Sequence, residues 1–318
     1  MRDVCVVGLG LIGGSVLRAA VAAGRTAWGA TASAEDAGLA GADGFDVVDL
    51  AEALGRARES DALVVLAVPL PAVEEVLRRL PPDVRLTDVV SVKGPVADLV
   101  RRSAPSARYV GGHPMAGSAD SGWAAGEAGL FAGAAWVVTA EDDADLEVLG
   151  DVLRLALDAG AHVVPTTAAE HDAAVARVSH LPHLLAAVLA SVGADGGPLA
   201  LALAAGSFGD GTRVAGTRPE LVRAMCEGNR VALLAAVDDA LGRLGAARGS
   251  LASTGGLAKT IDAGHAARAA LVERQRAELT EVTVDLGSPR ALEALRALGS
   301  RGGRVVGFDG TTVRAQTA

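Results

Sequence analysis

The sequence predicts an α/β chain in two parts: a doubly wound, parallel-sheet domain over residues 1–166 and an all-α domain over residues 167–280. Three observations carry this. A glycine-rich turn, Gly8-Leu9-Gly10-Leu11-Ile12-Gly13-Gly14, separates a short apolar run from a helical pattern at the start of the chain. The run 62–68 (ALVVLAV) is continuous and apolar, as a strand buried on both faces of a parallel sheet must be. Beyond Thr166 the strand pattern stops and long Ala/Leu-rich helical segments follow. The length of 318 residues suits two domains, at about 150 residues each.

Taken in order, residues 4–7 form the first strand, and the helix after the glycine turn runs to about residue 23. Residues 26–30 form a second strand. After 62–68, residues 71–80 are amphipathic and helical. Segments 86–91 and 108–111 read as strands, followed by strand 136–139, helix 145–159 and strand 162–164. Strands alternating with helices at this spacing mean βαβ units. In the second part, helices are expected over 168–192, 219–244 and 263–278. The tail, 281–318, reads as strand 281–286, helix 289–298 and strand 304–308. It is too short for a complete regulatory domain of ordinary size, and its role is unassigned.

Composition excludes several classes. Half the residues are hydrophobic, 21% are charged and mean hydropathy is +0.35, which a disordered chain could not have. Net charge is −9 and the pI about 5.2, with no basic stripe, so neither nucleic acid nor an anionic membrane is an expected partner. Aromatics are 3%, so the core must be built from Ala, Val and Leu. The two cysteines, Cys5 and Cys226, allow no disulfide framework or CxxC metal pair, and a reducing cytoplasm fits. No charged leader with an apolar stretch opens the sequence, and apolar runs such as 62–69 fall short of the ~20 residues that span a bilayer. A soluble cytoplasmic protein is expected. Of 29 basic residues only Lys93 and Lys259 are lysines. Where Arg is the default cation, a Lys inside a motif carries extra weight.

Gly8-x-Gly10-x-x-Gly13 follows a strand and opens a helix, the context in which this spacing binds a dinucleotide. The first glycine permits the tight turn, the second lets backbone approach a pyrophosphate, and the third lets helix and strand pack closely. The helix N-terminus, with Leu11 and Ile12, attracts the phosphates. Val68 and Pro69, at the end of the 62–68 strand, join the expected cofactor-binding set. The fold is therefore expected to be Rossmann-type. An acid that binds the ribose hydroxyls of NAD should lie about 20 residues on, after the second strand. The stretch 29–33 has none, and Thr31 stands there instead. Without the acid a 2′-phosphate is not repelled, so NAD or NADP is expected, with a slight lean to NADP.

Four further segments carry candidate chemistry: Asp88-Val89-Val90-Ser91-Val92-Lys93-Gly94 at a strand end, Gly111-Gly112-His113-Pro114-Met115-Ala116-Gly117-Ser118 past another, Ser179-His180-Leu181-Pro182-His183, and Phe208-Gly209-Asp210-Gly211-Thr212-Arg213-Val214-Ala215. Each alone has a plainer reading. His113 before Pro could be a turn residue, His180 and His183 a packing pair, Arg213 a surface arginine and Ser91 a helix cap. With no Cys or carboxylate at ligand spacing, no metal is expected.

Together, in this order and spacing, GLGLIGGS, VVSVKG, GGHPMAGS, SHLPH and TRVA resemble the prephenate/arogenate dehydrogenases of tyrosine biosynthesis, over roughly residues 1–280. The resemblance implies a nucleotide domain and a helical domain that forms a homodimer. It implies oxidation of prephenate to 4-hydroxyphenylpyruvate and CO2, or of arogenate to tyrosine and CO2. By motif, His113 matches the catalytic histidine and Ser91 the serine supporting it. Arg213 matches the substrate-carboxylate arginine and His183 the substrate-binding histidine, with Ser118 and Lys93 completing the substrate set. Two positions depart: Ala119 stands where some members carry an acid, and Val222 stands near a common Trp. This leaves arogenate and a 4-amino analogue, 4-amino-4-deoxyprephenate, open as substrates. Rival readings are a β-hydroxyacid dehydrogenase, for which Lys259 is the one candidate lysine, and a non-catalytic dinucleotide-sensing dimer.

Overall fold

The structure is a computed structural model, and it describes residues 1–118 and 120–318. The chain divides into two compact units: Met1–His171 with Thr280–Thr317, and Asp172–Leu279 with Ala318.

The first unit opens with a parallel sheet. Its strands are β1 (Val4–Val7), β2 (Ala27–Ala30), β3 (Leu63–Leu66), β4 (Arg85–Asp88) and β5 (Arg108–Tyr109), in the order β2-β1-β3-β4-β5. Helices α1 (Leu11–Ala22), α2 (Ala34–Ala42), α3 (Leu50–Glu59), α4 (Leu70–Leu77) and α5 (Gly94–Ser103) connect them. Successive side chains of a strand face opposite ways. Val4, Val6, Leu63 and Val65 accordingly enter one core cluster, with Val16 and Leu17 of α1. Cys5, Val7, Val64 and Leu66 enter another, against Ala53, Val73 and Val96. Burial on both faces is why these strands read as unbroken apolar runs. It also pushes the Cys5 thiol up to about 12.

The sheet ends at β5. The two strands read as its continuation belong to a second, mixed sheet of order β6-β7-β8-β10-β11-β9. It comprises β6 (Gly112–Pro114), β7 (Ala135–Thr139), β8 (His162–Thr166), β9 (Thr280–Asp285), β10 (Arg304–Asp309) and β11 (Thr312–Thr317), with α6 (Leu146–Asp158) between β7 and β8. The tail is thus part of the first unit. Strand β10 pairs antiparallel to β8, and Leu295 and Leu298 of a helix at Ala291–Ser300 join the same core cluster as Val152 and Leu153 of α6. Strand β11 was not apparent in the sequence.

The second unit is helical. It opens within α7 (Ala168–Val175), whose first turn is counted with the first unit and which a π turn, Ala176–His180, joins without a break to α8 (Leu181–Asp195). Then follow α9 (Gly197–Ala202), α10 (Gly206–Thr212), a 3-10 turn at Arg213–Gly216, α11 (Pro219–Gly228), α12 (Arg230–Ser253) and α13 (Ala258–Arg276); the Ala291–Ser300 helix of the first unit is α14. The single helix expected over 219–244 is interrupted at Asn229. This buried side chain donates to the Asp172 carbonyl (2.7 Å) and to His180 Nδ1 (3.1 Å). Among the described residues one helical stretch, Ala168–Asp195, is long and apolar enough to cross a membrane. It is not an unbroken apolar run, being interrupted by Ser179, His180 and His183.

Candidate active site

The glycine turn sits where β1 hands over to α1. Gly8 has φ +101, a region that side chains with a Cβ rarely adopt, and a Cβ there would meet the Ala67 carbonyl oxygen at 2.4 Å. A Cβ on Gly13 would lie 1.8 Å from the Gly8 carbonyl oxygen. Around Gly10, by contrast, a Cβ would meet nothing within 4 Å. The first and third glycines serve the chain's own packing, and the second opens onto space that a ligand can use. Helix α1 has no side-chain cap and no acid in its first turn. The N–H groups of Leu11, Ile12 and Gly13 therefore face the turn with the positive end of the helix dipole behind them. This cradle fits the pyrophosphate of a dinucleotide. Val68 lines it, with Cγ1 at 3.0 Å from the ideal Gly8 Cβ, and Pro69 is the residue preceding α4.

Thr31 follows β2, and its Oγ1 accepts from Ser33 N–H (3.3 Å). Ser33 in turn caps α2 by accepting from Asp36 N–H (3.1 Å). The nearby carboxylate of Asp36 is committed to the backbone N–H of Trp123 (2.7 Å).

At the far end of β4 lies a wholly buried ion pair. Asp88 and Lys93 both have 0% side-chain exposure and are in contact through Nζ and Oδ1. The Lys93 ammonium also donates to the Gly112 carbonyl at 2.5 Å. Asp88 further accepts from Tyr109 Oη (2.6 Å) and Val90 N–H (2.8 Å). Lys93, expected among the substrate contacts, makes these contacts within the protein. Its charge is spent inside the protein, where it ties the β4 loop to the residue before His113.

His113 lies on β6, opposite Val137 of β7, and is half-buried. Its Nδ1 stands 2.8 Å from Nε2 of His171, with the rings edge to face at 79°. His171, 2% exposed, was not singled out in the sequence. A local signal existed. Thr167-Ala-Ala-Glu170 is a capping box: Thr167 Oγ1 accepts from Glu170 N–H (3.2 Å) and Glu170 Oε2 from Thr167 N–H (3.1 Å). These bonds hold the Glu170 carboxyl below its usual range and fix the start of α7, and so His171 in its first turn. Ser91, in the loop after β4, is half-buried and takes part in none of the described hydrogen bonds. A partner of the His113 imidazole is close at hand in His171. Ser118 is exposed and accepts from Asp120 N–H at 3.2 Å; Ala119 lies outside the described residues.

Within the helical unit, His180 is 1% exposed and accepts from Asn229 through Nδ1, a packing role. His183, one turn on, donates Nδ1–H to the Ser179 carbonyl (2.8 Å), which leaves Nε2 as the acceptor of its neutral form. Arg213 is exposed at the start of its 3-10 turn, and among the described residues no carboxylate pairs with it. Val222 is half-buried on α11. Lys259 is exposed on α13.

Two family models match the chain in sequence order. Residues 24–165 match the prephenate dehydrogenase nucleotide-binding domain, and residues 167–254 its dimerization domain. A prephenate dehydrogenase of Bacillus subtilis is 33% identical over 251 residues, covering 75% of this chain and 67% of that protein. A candidate prephenate dehydrogenase of Corynebacterium glutamicum, known from its crystal structure, is 45% identical with a TM-score of 0.90, covering 95% of this chain and 98% of that one. Prephenate dehydrogenase from A. aeolicus, crystallised with hydroxyphenyl propionate and NAD+, is 25% identical with a TM-score of 0.74, covering 85% and 98%. This chain belongs to the prephenate dehydrogenase family of oxidoreductases.

Proposed function

We propose that this chain oxidises prephenate to 4-hydroxyphenylpyruvate and CO2. The observation that carries the reading is the His113–His171 pair, in the same unit as a glycine turn open at Gly10. His113 is the base for the proton of the ring carbinol, acting through Nε2, and neutral imidazole is well matched to that task near pH 7. Gly8, Gly10, Leu11, Ile12, Gly13, Thr31, Val68 and Pro69 hold the dinucleotide. When bound, its nicotinamide accepts the hydride. Ser91 hydrogen-bonds the carbinol hydroxyl. Arg213 clamps a carboxylate of the dianion, a bidentate contact that Lys makes less well. His183 Nε2 and Ser118 are the remaining substrate contacts. Carbinol oxidation produces a dienone that becomes aromatic on losing CO2, so no further catalytic group is needed for that step.

NAD and NADP both fit this reading. No carboxylate stands at Thr31 to repel a 2′-phosphate, and Asp36 is held by Trp123. The NAD+ complex of the A. aeolicus relative supports NAD. Reading dinucleotide reduction with prephenate, arogenate and the 4-amino analogue, each with NAD and with NADP, tests both points. Turnover of prephenate at the highest kcat/KM is expected. No turnover of any of the three would overturn the proposal.

The assembly is a homodimer formed through the helical unit. Val192, Leu203, Val231 and Leu244 there are 64%, 73%, 86% and 64% exposed. A surface so apolar is an association surface, and the matching family model is described as a dimerization domain. A monomeric mass by light scattering at micromolar concentration would count against it.

A further inference from the structure

We infer that His171 is a positioning residue that holds His113 in its Nδ1–H tautomer, so that Nε2 is free of a proton when the substrate hydroxyl arrives. The inference rests on the reading of His113 as the base.

Two nitrogens 2.8 Å apart, His113 Nδ1 and His171 Nε2, can share one proton and no more. With both rings neutral there are two arrangements. In one, His113 donates from Nδ1 and its Nε2 carries a lone pair. In the other, His171 donates, and the His113 proton sits on Nε2, where it blocks base catalysis. Proton uptake by His113 forces the first arrangement, because an imidazolium is a donor at both nitrogens. His171 must then accept. A partner that can only donate, or none, would leave the new cation without its hydrogen bond in a half-buried place.

The fold places this acceptor firmly. His113 is held in register opposite Val137, and β7 pairs with β8 as far as Thr139 and Thr166. The next residue, Thr167, opens the capping box of α7, and His171 N–H bonds the Thr167 carbonyl at 2.9 Å. An imidazole buried to 2% on the first turn of a capped helix has little freedom to turn away. The edge-to-face angle of 79° aims its Nε2 at the rim of the His113 ring. The arrangement parallels that of the serine-protease triad, where loss of the residue fixing the histidine tautomer costs about 10⁴ in kcat. Here the orienting partner is an imidazole in place of a carboxylate, so a smaller effect is expected.

The test uses the full-length enzyme and two variants, His171→Leu and His171→Gln. Nitrogen NMR of the imidazoles reads the His113 tautomer without any need for turnover. The wild type should show Nδ1–H. His171→Leu should move the proton to Nε2, the form an unconstrained neutral histidine side chain prefers, and lower kcat by about 10²-fold with KM changed less than about threefold. His171→Gln offers a carbonyl oxygen in place of Nε2. It should restore Nδ1–H and bring kcat back to within about tenfold of wild type. An unchanged His113 tautomer in His171→Leu overturns the inference, as does failure of His171→Gln to recover either reading. A tautomer that shifts without loss of kcat also overturns it. Separately, His113→Asn with near-normal kcat would sink the base assignment itself, whatever the tautomer.

Discussion

Removing the Lys93 ammonium should cost this protein more stability than almost any other single side-chain change outside its hydrophobic core. In Lys93→Met, the Asp88 carboxylate stays where it is, at 0% exposure, with its Tyr109 and Val90 hydrogen bonds but no countercharge. Breaking a buried pair in this way costs about 3–5 kcal/mol, because the remaining charge is neither hydrated nor compensated. At about 2–4 °C per kcal/mol for a domain of 150–250 residues, the melting temperature should fall by roughly 6–20 °C. The double variant Lys93→Met/Asp88→Asn removes the stranded charge and keeps groups able to bond Tyr109 and Val90. It should recover most of the loss. Lys93→Arg should also destabilise, by about 1–3 kcal/mol, since a planar guanidinium overfills a site shaped around a compact ammonium. Thermal and urea unfolding of the four proteins decides this. A melting point for Lys93→Met within about 2 °C of wild type would refute the reasoning. So would a double variant no more stable than the single one.

The two glycines of the turn should fail in different ways. Gly8→Ala meets the Ala67 carbonyl and a φ of +101, so it should destabilise the fold, whereas Gly10→Ala has open space and should leave the melting point unchanged while raising the KM for dinucleotide. Acid stability should depend on Arg108, whose hydrogen bond at 2.6 Å is the main cause holding Asp145 below the usual carboxylate range. A depressed carboxyl contributes stability above its unfolded value, about 3.9, and loses it as pH falls through the lower folded value. Arg108→Gln should therefore flatten unfolding free energy against pH between about 5 and 2, and an unchanged slope by urea titration would contradict the assignment. Arg213→Ala should mainly raise the KM for substrate, by about 1.5–3 kcal/mol for a lost charged hydrogen bond, with kcat little changed. Steady-state kinetics that show the reverse would move Arg213 out of the ground-state complex.

What could be read from the sequence was local, and what escaped it was long-range. The strand at 4–7, the glycine turn and its helix lie within about twenty consecutive residues, so apolar pattern and glycine spacing reveal them together. The second sheet could not be read the same way. Strands β8 and β10 meet across more than a hundred residues of helical unit, through a single antiparallel partnership of Val163 and Val305. Nothing in either segment names the other. The break at Asn229 had a local signal in the pair Gly228-Asn229, which commonly ends a helix, but its buried partners, the Asp172 carbonyl and His180, are distant in sequence.

The site divides along the same line. Motif spacing picks out His113, because it stands in a recognisable run beside Pro114 and Met115. It cannot pick out His171, which touches His113 from 58 positions away. It also places Lys93 among the substrate contacts without showing its buried partners, Asp88 and the Gly112 carbonyl. The sequence did mark Lys93 as unusual, one of two lysines among 29 basic residues. Burial gives a physical reason for a lysine at this position. A site closed to water and lined by Asp88 and the Gly112 carbonyl suits a compact ammonium with three donors better than a fork of five. Lys93 thus bonds the backbone carbonyl of Gly112, next to His113, and His171 meets the imidazole ring itself. A residue chosen for what it holds in place resembles, in sequence, a residue chosen for what it binds. The two separate only when stability and turnover are measured on the same variant.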